Sequence, residues 1–256
     1  MALRASIETL LWYAGRPSYL PNLLHIMKFR LFGKIREQTA AESLAWCKVN
    51  AVSSGEALRR LFPQHELSDL EKIFPRDMAF AKAQEAACPT KMGGPGAINL
   101  IYSVCEALDA KRAIETGVAY GWSSLALLLS LSKRGGHRLI SIDMPYPKLN
   151  NEPYVGCVVP ETVRSGWTIV REPDVTGLKK ALAELPQIDV CHYDSDKSYS
   201  GRMFAYPKLW RALRPGGVLI SDDVNDNTGF RDFCTGIQAA PTVVEYQGKY
   251  VGLLRK

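Results

Sequence analysis

The sequence has few cysteines and no long hydrophobic run. Its six cysteines are scattered among 256 residues, and no two have the spacing of a zinc site. We therefore expect them to be small buried side chains in a reducing compartment. No apolar run approaches the roughly 18 residues of a transmembrane helix, and the N-terminus lacks the pattern of a secretion signal. With 46% hydrophobic and 23% charged residues, the composition predicts a globular, cytoplasmic protein.

The net charge of +6 is concentrated near the N-terminus. Residues 1–60 hold nine lysines and arginines against four acidic residues, a surplus of five positive charges. The remaining residues therefore carry a net charge of about +1. A near-neutral body argues against a broad nucleic-acid footprint, so we expect a small-molecule partner. The segment KFRLFGKIR at 28–36 fits an exposed helix face or a contact in a homodimer. Alternatives are a peripheral membrane contact within residues 1–36 or a cap over an acidic substrate.

Two regions differ in pattern. Residues 1–90 are predicted to form helices broken by turns, with one or two amphipathic helices over 38–61. We expect this region to be a cap or a dimerisation region. Residues 91–256 alternate apolar strands with helices. The predicted strands are 112–116, 138–144, 167–170, 188–193, 218–221, 242–246 and 250–254. This order predicts an α/β fold with a doubly wound, Rossmann-like, mostly parallel seven-stranded sheet and an antiparallel C-terminal hairpin.

A glycine-containing turn follows the first of these predicted strands. It has the form E-x-G-x-x-x-G, from Glu115 through Gly117 to Gly121, and a helix is expected to begin near Trp122. Glycine lets the backbone turn sharply and approach a ligand closely. The free N–H groups of the first helical turn, around Ser123, favour an electronegative group.

The type of nucleotide ligand follows from spacing and charge. A hydride-carrying dinucleotide would require G-x-G-x-x-G, and the Glu115 carboxylate would repel its pyrophosphate. The same carboxylate would attract an ammonium group. S-adenosylmethionine (SAM) carries an ammonium and a sulfonium but no phosphate. Asp143, which ends the next predicted strand, is placed to accept both ribose hydroxyls.

With these motifs the chain resembles the class I SAM-dependent methyltransferases over roughly residues 90–256. It is most similar to two metal-dependent groups: the catechol O-methyltransferase type and a bacterial group linked to sugar and natural-product methylation. The stretches that carry the likeness are VP at 159–160, YDSDKSY at 193–199, SDDV at 221–224 and NTGF at 227–230. The resemblance implies an O-methyltransferase that acts on a small hydroxylated molecule, with a sugar or natural product preferred.

Three carboxylates are expected to meet at one edge of the sheet. Asp194 ends the fourth predicted strand, and Asp222 and Asp223 end the fifth. They would repel one another unless protonated or bound to a cation, and oxygen ligands favour Mg²⁺. In the resembled families the matching positions bind Mg²⁺, so we predict Mg²⁺ or another divalent cation here. The alternative is that Asp222 and Asp223 cap a turn.

Two side chains are candidate bases. In the catechol-type family, a lysine three residues after the first aspartate is the general base, and Lys197 matches it, although the bacterial group usually has histidine there. A divalent cation and desolvation are expected to lower the pKa of Lys197. The alternative is a surface lysine paired with Asp196. His192 shares a strand face with Asp194 and is either a second base or a buried core histidine.

The remaining candidates concern the cofactor. The resemblance implies that the stretch around Met92 and Gly93 lines the methionine end of SAM, and Glu172 is a candidate partner of the adenine amine. The predicted cofactor-binding set is Glu115, Gly117, Tyr120, Gly121, Ser123, Asp143, Met92, Gly93, Glu172 and Asp194. Three other functions remain open: a metal-independent RNA methyltransferase, a SAM-binding scaffold without catalysis, and a dehydrogenase.

Overall fold

The computed structural model describes residues 12–20, 23–24, 36–145 and 151–256. The helices within them are α1 (Arg36–Asn50), α2 (Ser54–Leu61), α3 (Leu70–Ile73), α4 (Pro75–Ala87), α5 (Ile98–Ala107), α6 (Trp122–Leu131), α7 (Asp174–Glu184), α8 (Tyr199–Ala212) and α9 (Gly229–Gly236). The strands are β1 (Ala51–Val52), β2 (Arg112–Thr116), β3 (Arg138–Ile142), β4 (Trp167–Val170), β5 (Ile188–Tyr193), β6 (Leu213–Ser221), β7 (Thr242–Tyr246) and β8 (Lys249–Arg255). No helix in these ranges is long and apolar enough to cross a membrane.

One mixed sheet organises the chain. Its strand order is β1-β7-β8-β6-β5-β2-β3-β4. The strands from β6 to β4 pair in parallel, whereas β8 is antiparallel to both β6 and β7. This confirms the predicted doubly wound α/β sheet with an antiparallel C-terminal hairpin. The strand order reverses between β2 and β5, which places a crevice at the carboxyl ends of these strands.

The predicted number of strands was one too few. Ala51–Val52 was expected inside an amphipathic helix over 38–61, but it forms β1 between α1 and α2. This two-residue strand pairs in parallel with Val243 and Val244 of β7. Alanine and valine at these positions carry little local signal, so the tertiary contact with β7 decides their conformation.

Helices cover both faces of the sheet. Successive residues of β3 alternate between two hydrophobic clusters: Leu139 belongs to one, Ile140 to the other. The first cluster contains side chains of α5 and α6, and the second contains side chains of α7 and α8. Because both faces are buried, the polar ends of the central strands are the part of the sheet that can bind a ligand.

The N-terminal region is described only in part. The basic segment 28–36 lies outside the described residues except for the backbone of Arg36, where α1 begins. The division at residue 90 into a cap and a catalytic domain therefore stays a prediction.

Candidate active site

A cavity of about 540 Å³, including its open mouth, lies at the carboxyl ends of β2, β3, β5 and β6. The described residues that line it include three carboxylates and one histidine, but neither lysine nor arginine. They are Gly93, Gly94, Pro95, Gly96, Ala97, Ile101, Gly117, Val118, Ala119, Trp122, Ser123, Asp143, His192, Asp194 and Asp222. The cavity therefore favours a cationic ligand over a phosphorylated one.

The glycine turn forms one wall of the cavity. Gly117 has φ +83°, and a Cβ there would lie 2.4 Å from the main-chain oxygen of Asp194. Gly121, with φ +95°, precedes α6, and no side chain caps the free N–H groups of that helix. Both glycines have the positive φ that a sharp turn requires. A side chain at Gly117 would also strain the backbone and displace the end of β5.

Asp143 is held at the edge of the cavity by two groups. Its side chain is buried, with Oδ1 accepting a hydrogen bond of 2.9 Å from the main-chain N–H of Val118. Its Oδ2 pairs with the guanidinium of Arg171, which also donates to Glu152 at 2.8 Å. Arg171 was missed by the sequence analysis because it lies 28 residues from Asp143 and belongs to no motif.

Glu115 lies beneath the cavity and is not one of its lining residues. Its side chain has no exposure, and Oε2 accepts hydrogen bonds from Ser124 at 2.5 Å and Ser141 at 2.6 Å. Its Oε1 lies 3.6 Å from Nδ1 of His192. Direct contact between Glu115 and an ammonium group stays a prediction.

His192 connects Glu115 with a carboxylate of the cavity. Its Nε2 lies 3.6 Å from Oδ1 of Asp222, and its side chain is buried. Burial by itself lowers the pKa of His192, but the carboxylates of Asp222 and Glu115 more than offset this and raise it to about 10. A protonated ring has no free lone pair, so the geometry favours a buried charged histidine over a general base.

Lys197 lies between two carboxylates. Its Nζ is 2.9 Å from Oδ1 of Asp194 and pairs directly with Oδ2 of Asp223. Burial works against the charged form, yet these two carboxylates raise the pKa of Lys197. In this arrangement the lysine is an ammonium ion, and the expected lowering of its pKa beside a divalent cation stays a prediction.

Binding of Mg²⁺ by the three aspartates stays a prediction. Among the described residues, no group of three or more histidine, cysteine, aspartate or glutamate side chains could hold a metal ion. Protein cations face these carboxylates: Lys197 contacts Asp194 and Asp223, and His192 faces Asp222. The donor set predicted for Mg²⁺ thus lies at one edge of the sheet, and Lys197 and His192 neutralise part of its negative charge.

Other predicted cofactor residues lie around the cavity. The hydroxyl of Tyr120 donates to the main-chain oxygen of Thr90 at 2.9 Å and accepts from the N–H of Met92 at 3.2 Å. Tyr120 therefore fixes the segment that leads to Gly93. Glu172 pairs with Lys180 of α7 and is not among the lining residues.

Two further residues support the site: Arg202, which belongs to no motif, and Asn227, which begins the NTGF stretch but had no predicted role. The guanidinium of Arg202 donates to the main-chain oxygens of Asp222 and Asp223. Asn227 donates from Nδ2 to the main-chain oxygen of Lys197 at 2.7 Å. Their side chains donate to main-chain oxygens, and a residue pattern does not reveal such contacts.

Comparison with known proteins agrees with this geometry. Residues 114–224 match the family described as "Methyltransferase domain". The mouse (Mus musculus) catechol O-methyltransferase domain-containing protein 1 is 29% identical over 122 residues, which are 47% of this chain and 44% of the mouse protein. The chain thus spans less than half the length of this relative.

Solved structures share the fold. An O-methyltransferase from Bacillus cereus in complex with S-adenosylhomocysteine (SAH) has a TM-score of 0.55 at 14% identity, covering 73% of this chain and 95% of that one. The O-methyltransferase TomG from Streptomyces achromogenes, in complex with SAM, has a TM-score of 0.51 at 15% identity, covering 86% and 98%. Residues 114–224 thus resemble a methyltransferase domain, and the chain shares the α/β fold of these two solved O-methyltransferases.

Proposed function

We propose that the chain transfers the methyl group of SAM to a hydroxyl group of a small molecule, with a sugar or a natural product as the preferred acceptor. The observation that carries this proposal is the acidic cavity beside the glycine turn. Asp143, Asp194 and Asp222 are among the described residues that line it, and no lysine or arginine is. A cofactor with an ammonium and a sulfonium group suits this charge, whereas a pyrophosphate does not.

The chain's own groups are arranged for the two ends of such a cofactor. Asp143 is oriented by Val118 and retains acceptor capacity on both oxygens for ribose hydroxyls. The uncapped N–H groups at the start of α6, beside Ser123, suit the carboxylate of the methionine part. Gly93 to Gly96 form the opposite wall.

Bound SAM supplies an electrophilic methyl group, and the chain must orient and deprotonate the attacking hydroxyl. Asp194 lines the cavity, and burial together with Asp222 raises its pKa, which makes its carboxylate a better proton acceptor. The Lys197 ammonium, 2.9 Å from Asp194, stabilises the negative charge that develops on the acceptor oxygen. We therefore assign proton transfer to Asp194 and electrostatic stabilisation to Lys197.

The preference for a natural-product acceptor is supported by resemblance alone. TomG is described as involved in tomaymycin synthesis, and the mouse relative is named for a catechol O-methyltransferase domain. Catechols and hydroxylated natural products are therefore the first acceptors to test, followed by sugars. The homodimer and the cytoplasmic location stay predictions from the sequence.

Divalent metal assistance is not part of the proposed mechanism. Metal binding would require Lys197 to leave the position between Asp194 and Asp223. Methyl transfer measured with EDTA, and again with added Mg²⁺ or Mn²⁺, tests this point. Activity that disappears in EDTA and returns with the metal would restore the sequence-based prediction of a magnesium site.

The central experiment has two steps. Calorimetry with SAM and SAH measures cofactor binding, with NADH as the control for a dehydrogenase. Transfer from methyl-labelled SAM is then measured on a panel of catechols, other phenols and sugars. Cofactor binding together with a labelled methyl ether supports the proposal. Cofactor binding without transfer to any acceptor would favour a scaffold, and no binding of SAM or SAH would refute the proposal.

A further inference from the structure

A buried arginine lies beneath the two adjacent aspartates of the site. Arg202, in the first turn of α8, has no exposed surface. Its Nη2 donates to the main-chain oxygens of Asp222 at 3.2 Å and Asp223 at 2.7 Å, and its Nη1 donates to the hydroxyl of Tyr206 at 3.2 Å. These acceptors are neutral oxygens. Arg202 thus uses a full positive charge to hold neutral main-chain carbonyls, although burying such a charge is costly.

The turn that Arg202 holds has an unusual conformation. Asp223 has φ +51°, in the left-handed region that favours glycine. The hydrogen bond from Arg202 fixes the peptide that follows this strained residue. Tyr206 reinforces the arrangement because its hydroxyl also bonds Oγ of Ser221, at 2.7 Å.

The hydrogen bonds of Arg202 determine where the two carboxylates of the turn point. With both carbonyl groups turned toward Arg202, the side chain of Asp222 lies at the cavity and that of Asp223 pairs with Lys197.

Resting on the function proposed above, we propose that Arg202 is a positioning residue that fixes the Asp222–Asp223 turn and thereby directs the Asp222 carboxylate into the cavity and the Asp223 carboxylate toward Lys197. It touches neither cofactor nor acceptor. Its Nη2 donates to two successive carbonyls while its Nη1 donates to the Tyr206 hydroxyl, and a lysine ammonium cannot reproduce this planar arrangement of two nitrogen donors.

The test compares Arg202→Lys with Arg134→Lys. Arg134 is a matched control because it is also largely buried and also donates to a main-chain oxygen, that of Ser130 at 2.9 Å, but lies outside the cavity lining. Amide hydrogen exchange, followed by mass spectrometry over residues 221–228, reports on the turn without any ligand. We expect at least tenfold faster exchange there in Arg202→Lys and no change there in Arg134→Lys.

Binding and turnover complete the test. We expect the SAH affinity of Arg202→Lys to stay within threefold of the wild type, while kcat with the best acceptor of the panel falls at least tenfold and the KM for SAM is unchanged. If Arg202→Lys does not fold, Tyr206→Phe loosens the same arginine and should change exchange in the same direction.

Unchanged exchange over residues 221–228 in both site variants would overturn the proposal. The proposal would also be overturned if the two variants lost the same amount of melting temperature and Arg202→Lys lost no more kcat than Arg134→Lys. The exchange measurement needs neither SAM nor an acceptor, so it can fail or succeed independently of the proposed methyl transfer.

Discussion

The Nζ atom of Lys197 lies 2.9 Å from Oδ1 of Asp194. Because Asp194 lines the cavity and Lys197 does not, the lysine reaches reacting groups through this carboxylate. The pair therefore combines a proton acceptor with a fixed positive charge, and replacing the lysine should affect the reaction more than the fold.

Lys197→Met should lower kcat by about 10²–10³-fold, because the fixed positive charge that acts on the developing oxyanion through Asp194 is lost. SAM affinity, measured by calorimetry, should change by less than about tenfold. Lys249→Met is the matched control: this lysine lies 3.7 Å from Asp223 but is exposed. Equal losses of kcat in the two variants would contradict a special role for Lys197.

His192 predicts a specific pH dependence of stability. Its pKa is raised from about 6.5 to about 10 in the folded protein, so folding takes up a proton above pH 6.5. The stabilisation by His192 is therefore fully present below pH 6.5 and is lost as the pH rises through 10. In urea unfolding, the free-energy difference between wild type and His192→Gln should shrink steadily from pH 6 to pH 10.

A surface histidine provides the control for this titration. His65 is exposed, and His65→Gln should give a difference in unfolding free energy that is small at every pH. A wild-type advantage over His192→Gln that stays constant from about pH 7 to pH 10 would show that the buried ring is neutral.

Gly117→Ala should abolish measurable SAM binding and lower the melting temperature by about 5 °C or more. An alanine at φ +83° is strained, and its Cβ would meet the main-chain oxygen of Asp194 at 2.4 Å. Gly94→Ala is the control, since that glycine also lines the cavity but has open space around a Cβ. Calorimetry and thermal unfolding measure both effects, and normal SAM binding by Gly117→Ala would remove the turn from the cofactor site.

Asp143→Asn should weaken SAM and SAH binding about equally, by roughly 10–100-fold, because hydrogen bonds to a charged acceptor are worth about 1.5–3 kcal/mol. Equal effects are expected because the ribose is common to both ligands. Glu152→Gln, which changes the other partner of Arg171, should alter either affinity by less than about threefold. Calorimetry that finds Asp143→Asn unchanged would refute ribose recognition by this carboxylate.

Much of the fold could be predicted because the signals are local. The apolar strands β2, β3, β5 and β6 and the start of α6 at Trp122 follow from the spacing of apolar residues and glycines. The strand β1 could not be predicted, since two small apolar residues adopt strand conformation only beside β7.

The candidate site was predicted in its members but not in its charge state. Asp143, Asp194 and Asp222 do line one cavity, as their positions at strand ends indicate. Glu115 does not line it, because two serines and His192 enclose its carboxylate. A sequence shows which ionisable residues end each strand, but it does not show which cation will face each carboxylate.

The sequence by itself determined the α/β architecture, the glycine turn and the carboxylates at the strand ends, because these depend on periodicity and on the conformational freedom of glycine. The tertiary structure alone decided that Lys197 balances Asp194 and Asp223 and that His192 joins Glu115 to Asp222. It also brought Arg202 under the Asp222–Asp223 turn. The physical reason is that pairing of buried charges depends on distances between strands and helices, and these are set only when the sheet and its covering helices pack together.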